Sequence, residues 1–171
     1  IVSWEGDGNV SKTLSHSLGV VPDAIFVKNR DGANDWRVFN SRMASDPETD
    51  HLVLATNLAF ADAGYADSSW QDTMPTSSVF YVGDSGSVNT DGESYVAYVW
   101  ADVDGFSRYG AYIGNGSTAG PFCWTGMKPA TILIKRIDSS GQWFMHDNKR
   151  STYNPVAARL EPAVTDDEAT N

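Results

Sequence analysis

Tyr95-Val96-Ala97-Tyr98-Val99-Trp100 is the stretch on which the fold turns. It consists almost wholly of β-branched and aromatic residues, reads with a period of two and is too short for a buried helix, so it is an extended strand. The same grammar, worked outward, predicts strands at Val2-Glu5, Lys12-His16, Ala24-Arg30, Trp36-Asn40, His51-Thr56, Ser78-Val82, Tyr95-Ala101, Gly110-Ile113, Phe122-Thr125, Thr131-Ile137 and Trp143-Asp147. Between them fall 15 Gly and 7 Pro, with Asn and Asp at many of the same breaks. From Asp46 to Ala66 the pattern is less decisive, because Leu52, Leu54, Leu58, Ala59 and Ala63 also fit a strand followed by a helical turn. Many short strands joined by Gly, Asn and Asp turns predict an all-β, antiparallel β-sandwich of two layers. The unequal segment lengths fit an up-and-down barrel less well.

Composition agrees. Of 22 acidic residues 17 are Asp and 5 are Glu, so the acid is carried by the residue that prefers turns to helices. At 171 residues the chain has room for one ordinary domain or two small ones. With 41% hydrophobic and 20% charged residues it can fill a core. A formal net charge of −10, with 12 basic residues scattered along the chain, argues against a nucleic-acid partner bound through a basic face. No apolar run approaches the roughly 18 residues of a membrane-spanning helix, so no membrane insertion is expected. The chain opens at Ile1 inside a strand-like run, which reads as a segment of a longer polypeptide. Its single cysteine, Cys123, excludes an internal disulfide framework and a Cys-based zinc cluster, and is expected to fill core space within Pro121-Phe122-Cys123-Trp124.

Self-similarity runs through the chain. At an offset of 107, Gly19, Pro22, Ile25, Lys28, Asp31 and Trp36 match Gly126, Pro129, Ile132, Lys135, Asp138 and Trp143. Just before them, Trp4-Glu5-Gly6-Asp7-Gly8 matches Tyr112-Ile113-Gly114-Asn115-Gly116. Each series spells a turn, an apolar strand ending in Lys, an Asp-opened turn and a Trp starting the return strand, which is a β-hairpin. The Lys stem is expected along the Trp ring as a cation–π contact. Residues 2–107 then form one complete sandwich unit and 108–171 a partial second one, lacking counterparts of Ser78-Val82 and Tyr95-Ala101. Such a unit leaves an open sheet edge and an uncovered apolar face, unless a continuing chain or a partner supplies the strands.

Leu18-Gly19 with Pro22-Asp23, Ile25 to Arg30, Thr73 to Gly83, Val88-Asn89-Thr90-Asp91-Gly92, Tyr95-Val96-Ala97-Tyr98 and Gly114-Asn115-Gly116-Ser117 carry a resemblance. From about Val2 to Pro155 the chain resembles an uncharacterised repeat-domain family of bacteriophage virion and tail-fibre-like proteins. That family recurs in marine and cyanobacterial phages, often beside concanavalin-like lectin domains. After Pro155 the match fades, because Leu160-Glu161-Pro162-Ala163 departs from the strand at Leu52-Val53-Leu54. The resemblance implies a non-enzymatic module of the virion, with a jelly-roll or concanavalin-like sandwich. Its partners would be other virion proteins, copies of itself (a homotrimer among them) or a host cell-surface glycan. It brings no catalytic residue and no cofactor.

The residues themselves offer little chemistry. None of His16, His51 and His146 stands in a nucleophile-elbow or other local signature, and His16 reads as a turn or strand-end residue. Asp62, Asp67 and Asp72 flank Trp70, a pattern that suits a sugar because an aromatic ring covers a pyranose face while carboxylates accept its hydroxyls. The alternative is that the acids solvate a loop while Trp70 plugs the end of the sandwich. Hydrolysis would need two carboxylates positioned across a cleft. Asp102-Val103-Asp104-Gly105 starts like a calcium loop but lacks the later Glu, so it reads as a turn between the units, with no metal. Asn9-Val10-Ser11 and Asn115-Gly116-Ser117 match the glycosylation sequon, and turn chemistry accounts for both.

Overall fold

The computed structural model describes residues 1–54, 56–57, 61–62, 69–153, 156–162 and 169–170. Its strands in chain order are β1 (Val2–Glu5), β2 (Lys12–Ser15), β3 (Ala24–Asn29), β4 (Arg37–Asn40), β5 (Asp50–Val53), β6 (Ala61–Asp62), β7 (Val79–Val82), β8 (Ser94–Trp100), β9 (Thr131–Lys135), β10 (Trp143–Asp147), β11 (Ala158–Arg159) and β12 (Ala169–Thr170). Every ladder is antiparallel, and the described residues hold no helix. The fold is all-β. Of the helical turn considered after Leu52 and Leu54, Leu58, Ala59 and Ala63 lie outside the described residues.

The main sheet runs β1-β8-β3-β4-β5-β6, and β2 pairs with β7 in a second, smaller layer. β8 lies between β1 and β3, in register from Val2↔Ala97 on one side to Ala24↔Trp100 on the other. Its alternation becomes burial: Tyr95, Ala97 and Val99 are buried, Val96 and Tyr98 half-buried, and Trp100 exposed. Leu14, Phe80 and Val82 of the small layer share one core with Ile25, Val27, Tyr95 and Ala97 of the large one. Trp4 ties the layers, stacking on Tyr95 at 5.4 Å and meeting the Phe80 ring edge-on at 6.1 Å.

The loop from β7 to β8 is held by buried amides, as buried polar groups require. Asn29 Oδ1 accepts from the backbone N–H groups of Asp31 (3.0 Å) and Gly32 (2.8 Å), while its Nδ2 faces Asn34, Gly86, Glu93 and Tyr95. Asn89 donates to Asp7 Oδ1 (2.9 Å) and Asn9 O (3.0 Å). The backbones approach so closely that a Cβ on Gly6 would sit 1.9 Å from Thr90 O.

Ladders in the second half of the chain share their registers with ladders in the first. The β3–β4 ladder, Ala24↔Asn40 to Val27↔Arg37, reappears 107 residues later as Thr131↔Asp147 to Ile134↔Phe144. Val38↔Leu52 has its counterpart in Met145↔Leu160, and the β5–β6 pairs Asp50↔Asp62 and His51↔Ala61 in Ala158↔Thr170 and Arg159↔Ala169. The hydrogen bonds Ser41 N–H to Asp23 O (2.9 Å) and Arg42 N–H to Asn40 Oδ1 (2.8 Å) are matched by Asn148 to Ala130 (3.0 Å) and Lys149 to Asp147 (2.9 Å). Gly8 and Gly19 share positive φ with Gly116 and Gly126. Trp143 joins the halves: buried in the common core, its indole N–H donates to Val53 O at 2.9 Å.

Three expectations are corrected here. Gly110-Ile113 and Phe122-Thr125 are not strands, and the run around Cys123 is not core: Phe122 is 87% exposed, Trp124 75%, and Cys123 is exposed. All have one cause. At the offset of the self-similarity, Gly110-Ile113 corresponds to β1 and Phe122-Thr125 to the end of β2 and the residues after it; in the first half β1 and β2 pair with β8 and β7. The second half has no strand in those roles among the described residues, and an extended segment without a ladder partner leaves its backbone groups to water.

Candidate functional site

The open half-unit is the most distinctive surface of the molecule. Residues 108–130, all described, contain no strand, and between Phe106 and Leu133 they place Phe106, Tyr112, Ile113, Phe122, Trp124, Ile132 and Leu133 in solvent. Among the described residues β9 pairs with β10 on one side only, whereas β3, its counterpart, is flanked by β4 and β8. The burial shows the consequence: β3 is buried on both faces, while the first three residues of β9 are exposed. An apolar strand with a free edge and uncovered side chains is a pairing surface.

Charge is segregated in the same place. Residues 1–106 carry 5 basic against 16 acidic residues, whereas residues 107–153 carry 6 basic against 2 acidic. The half-unit as a whole, residues 108–171, is close to neutral with 7 basic against 6 acidic residues, and its positive charge is local: residues 108–136 carry 4 basic and no acidic residues.

The hairpin landmarks show how the two halves differ. Lys28 and Lys135 each fold back over their own loop, donating to Asn34 O and, at 2.6 Å, to Gly141 O. The expected Lys–Trp cation–π contact is thereby replaced, because a loop carbonyl offers the ammonium a direct acceptor; the cation that does sit over a ring is Arg159, 4.8 Å from Phe144. Burial pushes the Lys135 ammonium below its ordinary pKa. Asp31 accepts from the backbone N–H of Ser94 at 2.6 Å, a bond to the first residue of β8 that holds its carboxyl below the usual range. Asp138 has no such strand beside it and is held low by Arg136, at 2.6 Å. Trp36 is half-buried against Tyr98 at 6.0 Å, while Trp143 is fully committed to the core.

Of the residues of the sugar-site reading, Trp70 and Asp72 lie within the described residues. Trp70 is 3% exposed and meets Phe39 edge-on at 5.8 Å, so its ring has no free face and it plugs the sandwich. Asp72 is exposed and follows Gln71 through two residues of positive φ. Asp67 lies outside the described residues. A half-exposed aromatic row stands elsewhere, on β3, β8 and the approach to β4: Phe26 against Trp100 at 4.9 Å, Tyr98 against Trp100 at 5.9 Å, and Trp36 beyond. The period of β8 puts Tyr98 and Trp100 on one face, but only the cross-strand register adds Phe26 to them.

His16 sits just past β2, its ring between Thr76 O (3.1 Å) and the Leu18 N–H (3.3 Å). His146 Nδ1 lies 3.2 Å from Ala158 O. Two shallow depressions border these residues, about 350 Å³ beside His16 and about 290 Å³ beside His146 and Asp147. Asp147 is already committed, since the backbone N–H groups of Arg150 and Lys149 and the Arg150 side chain hold its pKa at about 2. Asp102 and Asp104 flank a turn closed by Val103 and Ser107, and Asp102 is bound to Arg108 (3.2 Å) and the Tyr109 N–H (2.7 Å). Among the described residues no three His, Cys, Asp or Glu side chains gather as a metal site.

Fold and surface together define an all-β protein of antiparallel sheets with a β-sandwich architecture. The chain belongs to the family described as a domain of unknown function, DUF7483, whose model matches residues 1–171. No curated protein and no solved structure matches it.

Proposed function

We propose that the chain is a non-enzymatic structural module of a phage virion, part of a tail fibre, appendage or capsid-associated protein, working in assembly or host-surface contact. The observation that carries the assembly role is the open half-unit, where an unpaired strand edge and solvent-exposed aromatic side chains coincide with a local positive charge on an acidic chain. The virion setting comes from the resemblance of the sequence to virion and tail-fibre-like domains. A density map of the assembled particle tests both. The expected result is the module in the particle with residues 108–136 against a neighbour; a module whose half-unit faces solvent in the particle overturns the assembly role.

The row Phe26, Tyr98, Trp100 and Trp36 favours a second reading, a carbohydrate-binding adhesin, because aligned rings on a sheet suit the apolar faces of sugars. A glycan array decides it. Binding that Trp100→Ala abolishes and Trp70→Ala spares supports the adhesin, and no signal above background removes it.

A further inference from the structure

Resting on the assembly reading, we infer that the open half-unit is an acceptor for two antiparallel strands supplied by a partner: a β8-type strand along the free edge of β9 and a β7-type strand along residues 120–123, the counterparts of β2. The molecule contains its own template for this joint. In the closed unit β8 pairs with β3, and the β3–β4 register recurs in β9–β10. Carrying the β3–β8 register forward by 107 residues sets the partner's positions equivalent to Trp100, Val99, Tyr98, Ala97, Val96 and Tyr95 opposite Thr131, Ile132, Leu133, Ile134, Lys135 and Arg136. Residues 110–113, the counterparts of β1, then flank the incoming strand on its other side. Asp138, which occupies the place of Asp31, gains the strand's leading N–H as a partner.

Charge defines the occupant. The template segment 79–104 carries 5 acidic and no basic residues, and the acceptor segment 108–136 carries 4 basic and no acidic ones. An acidic partner strand pair is therefore steered in. The recognition is β-strand addition: main-chain hydrogen bonds give affinity, and alternate side chains give register.

A synthetic peptide of residues 78–104 serves as the probe, titrated onto the whole chain and followed by hydrogen exchange. Expected is at least about tenfold slower exchange over 110–113, 122–123 and 131–136, weakened by added salt and absent with a scrambled peptide. A register test follows in a Cys123→Ser background. Leu133→Cys, at a half-exposed position, should form a disulfide with a peptide carrying Tyr98→Cys and not with one carrying Val99→Cys. Peptide that leaves those segments unprotected, protection confined to the closed unit, or protection at 131–136 that rises with protein concentration in the absence of peptide each overturns the proposal. A particle map that still places the half-unit against a neighbour would leave the assembly reading standing after such a failure.

Discussion

Trp143→Ala is the sharpest perturbation of the joint between the two units. The side chain is 4% exposed, and a tryptophan buries roughly 200 Å². At about 25 cal/mol per Å² that is about 5 kcal/mol of transfer free energy, an upper figure because the unfolded chain is itself partly collapsed. Truncations of this kind cost about 3–5 kcal/mol. The indole N–H also leaves Val53 O, a carbonyl in a buried strand residue, so the loss should fall at the upper end of that range. Trp143→Phe keeps most of the ring and removes that bond, for a cost of about 1–2 kcal/mol. Trp36→Ala, at the matching position but half-buried, should cost less than half as much as Trp143→Ala. Urea unfolding followed by far-ultraviolet circular dichroism supplies the numbers, with mutant midpoints compared at constant slope. A Trp143→Ala loss below about 1 kcal/mol would refute the reasoning, because a core tryptophan shared between the units cannot be removed so cheaply.

Other outcomes follow from single sites. Asn29→Ala removes the acceptor of two turn N–H groups and the donor to the Gly86 loop, and should cost about 2–3 kcal/mol in the same assay, with the β7–β8 loop exchanging faster. Asp147 has a folded pKa of about 2 against an unfolded value near 3.9, so its contribution is complete above about pH 4 and lost as pH falls through 2. Asp147→Asn should flatten the acid limb of the stability profile over that window, and an unchanged limb counts against the Arg150 and Lys149 contacts. Cys123 should react fully and rapidly with a thiol reagent in the native protein, and protection until denaturation would contradict its exposure.

Much of the closed unit can be read from residues alone. The boundaries of β1 and β10 fall where alternation and turn residues put them, β3 and β9 lie within the predicted runs, and β8 is shifted by one residue, from Ser94 rather than Tyr95. The same signals mislead at Gly110-Ile113 and Phe122-Thr125, which have strand-like composition and no strand. Propensity is a property of the segment, whereas a strand needs a neighbour to take its hydrogen bonds. Trp70 shows the converse. Its acidic surroundings suggest an exposed ring, and packing on Phe39 buries it.

The open half-unit was legible as missing strands at an offset of 107, but not as a charged surface, because a residue count over the whole chain averages −10 across segments of opposite sign. Pattern, turn chemistry and self-similarity are local or pairwise along the chain, and they determine that this protein is built of antiparallel strands in two related sets. Which edges are closed and which aromatic side chains lie inside depends on contacts between residues far apart in sequence. Only the tertiary structure decides that Trp143 completes one core while β9, a few residues earlier, presents an edge to solvent.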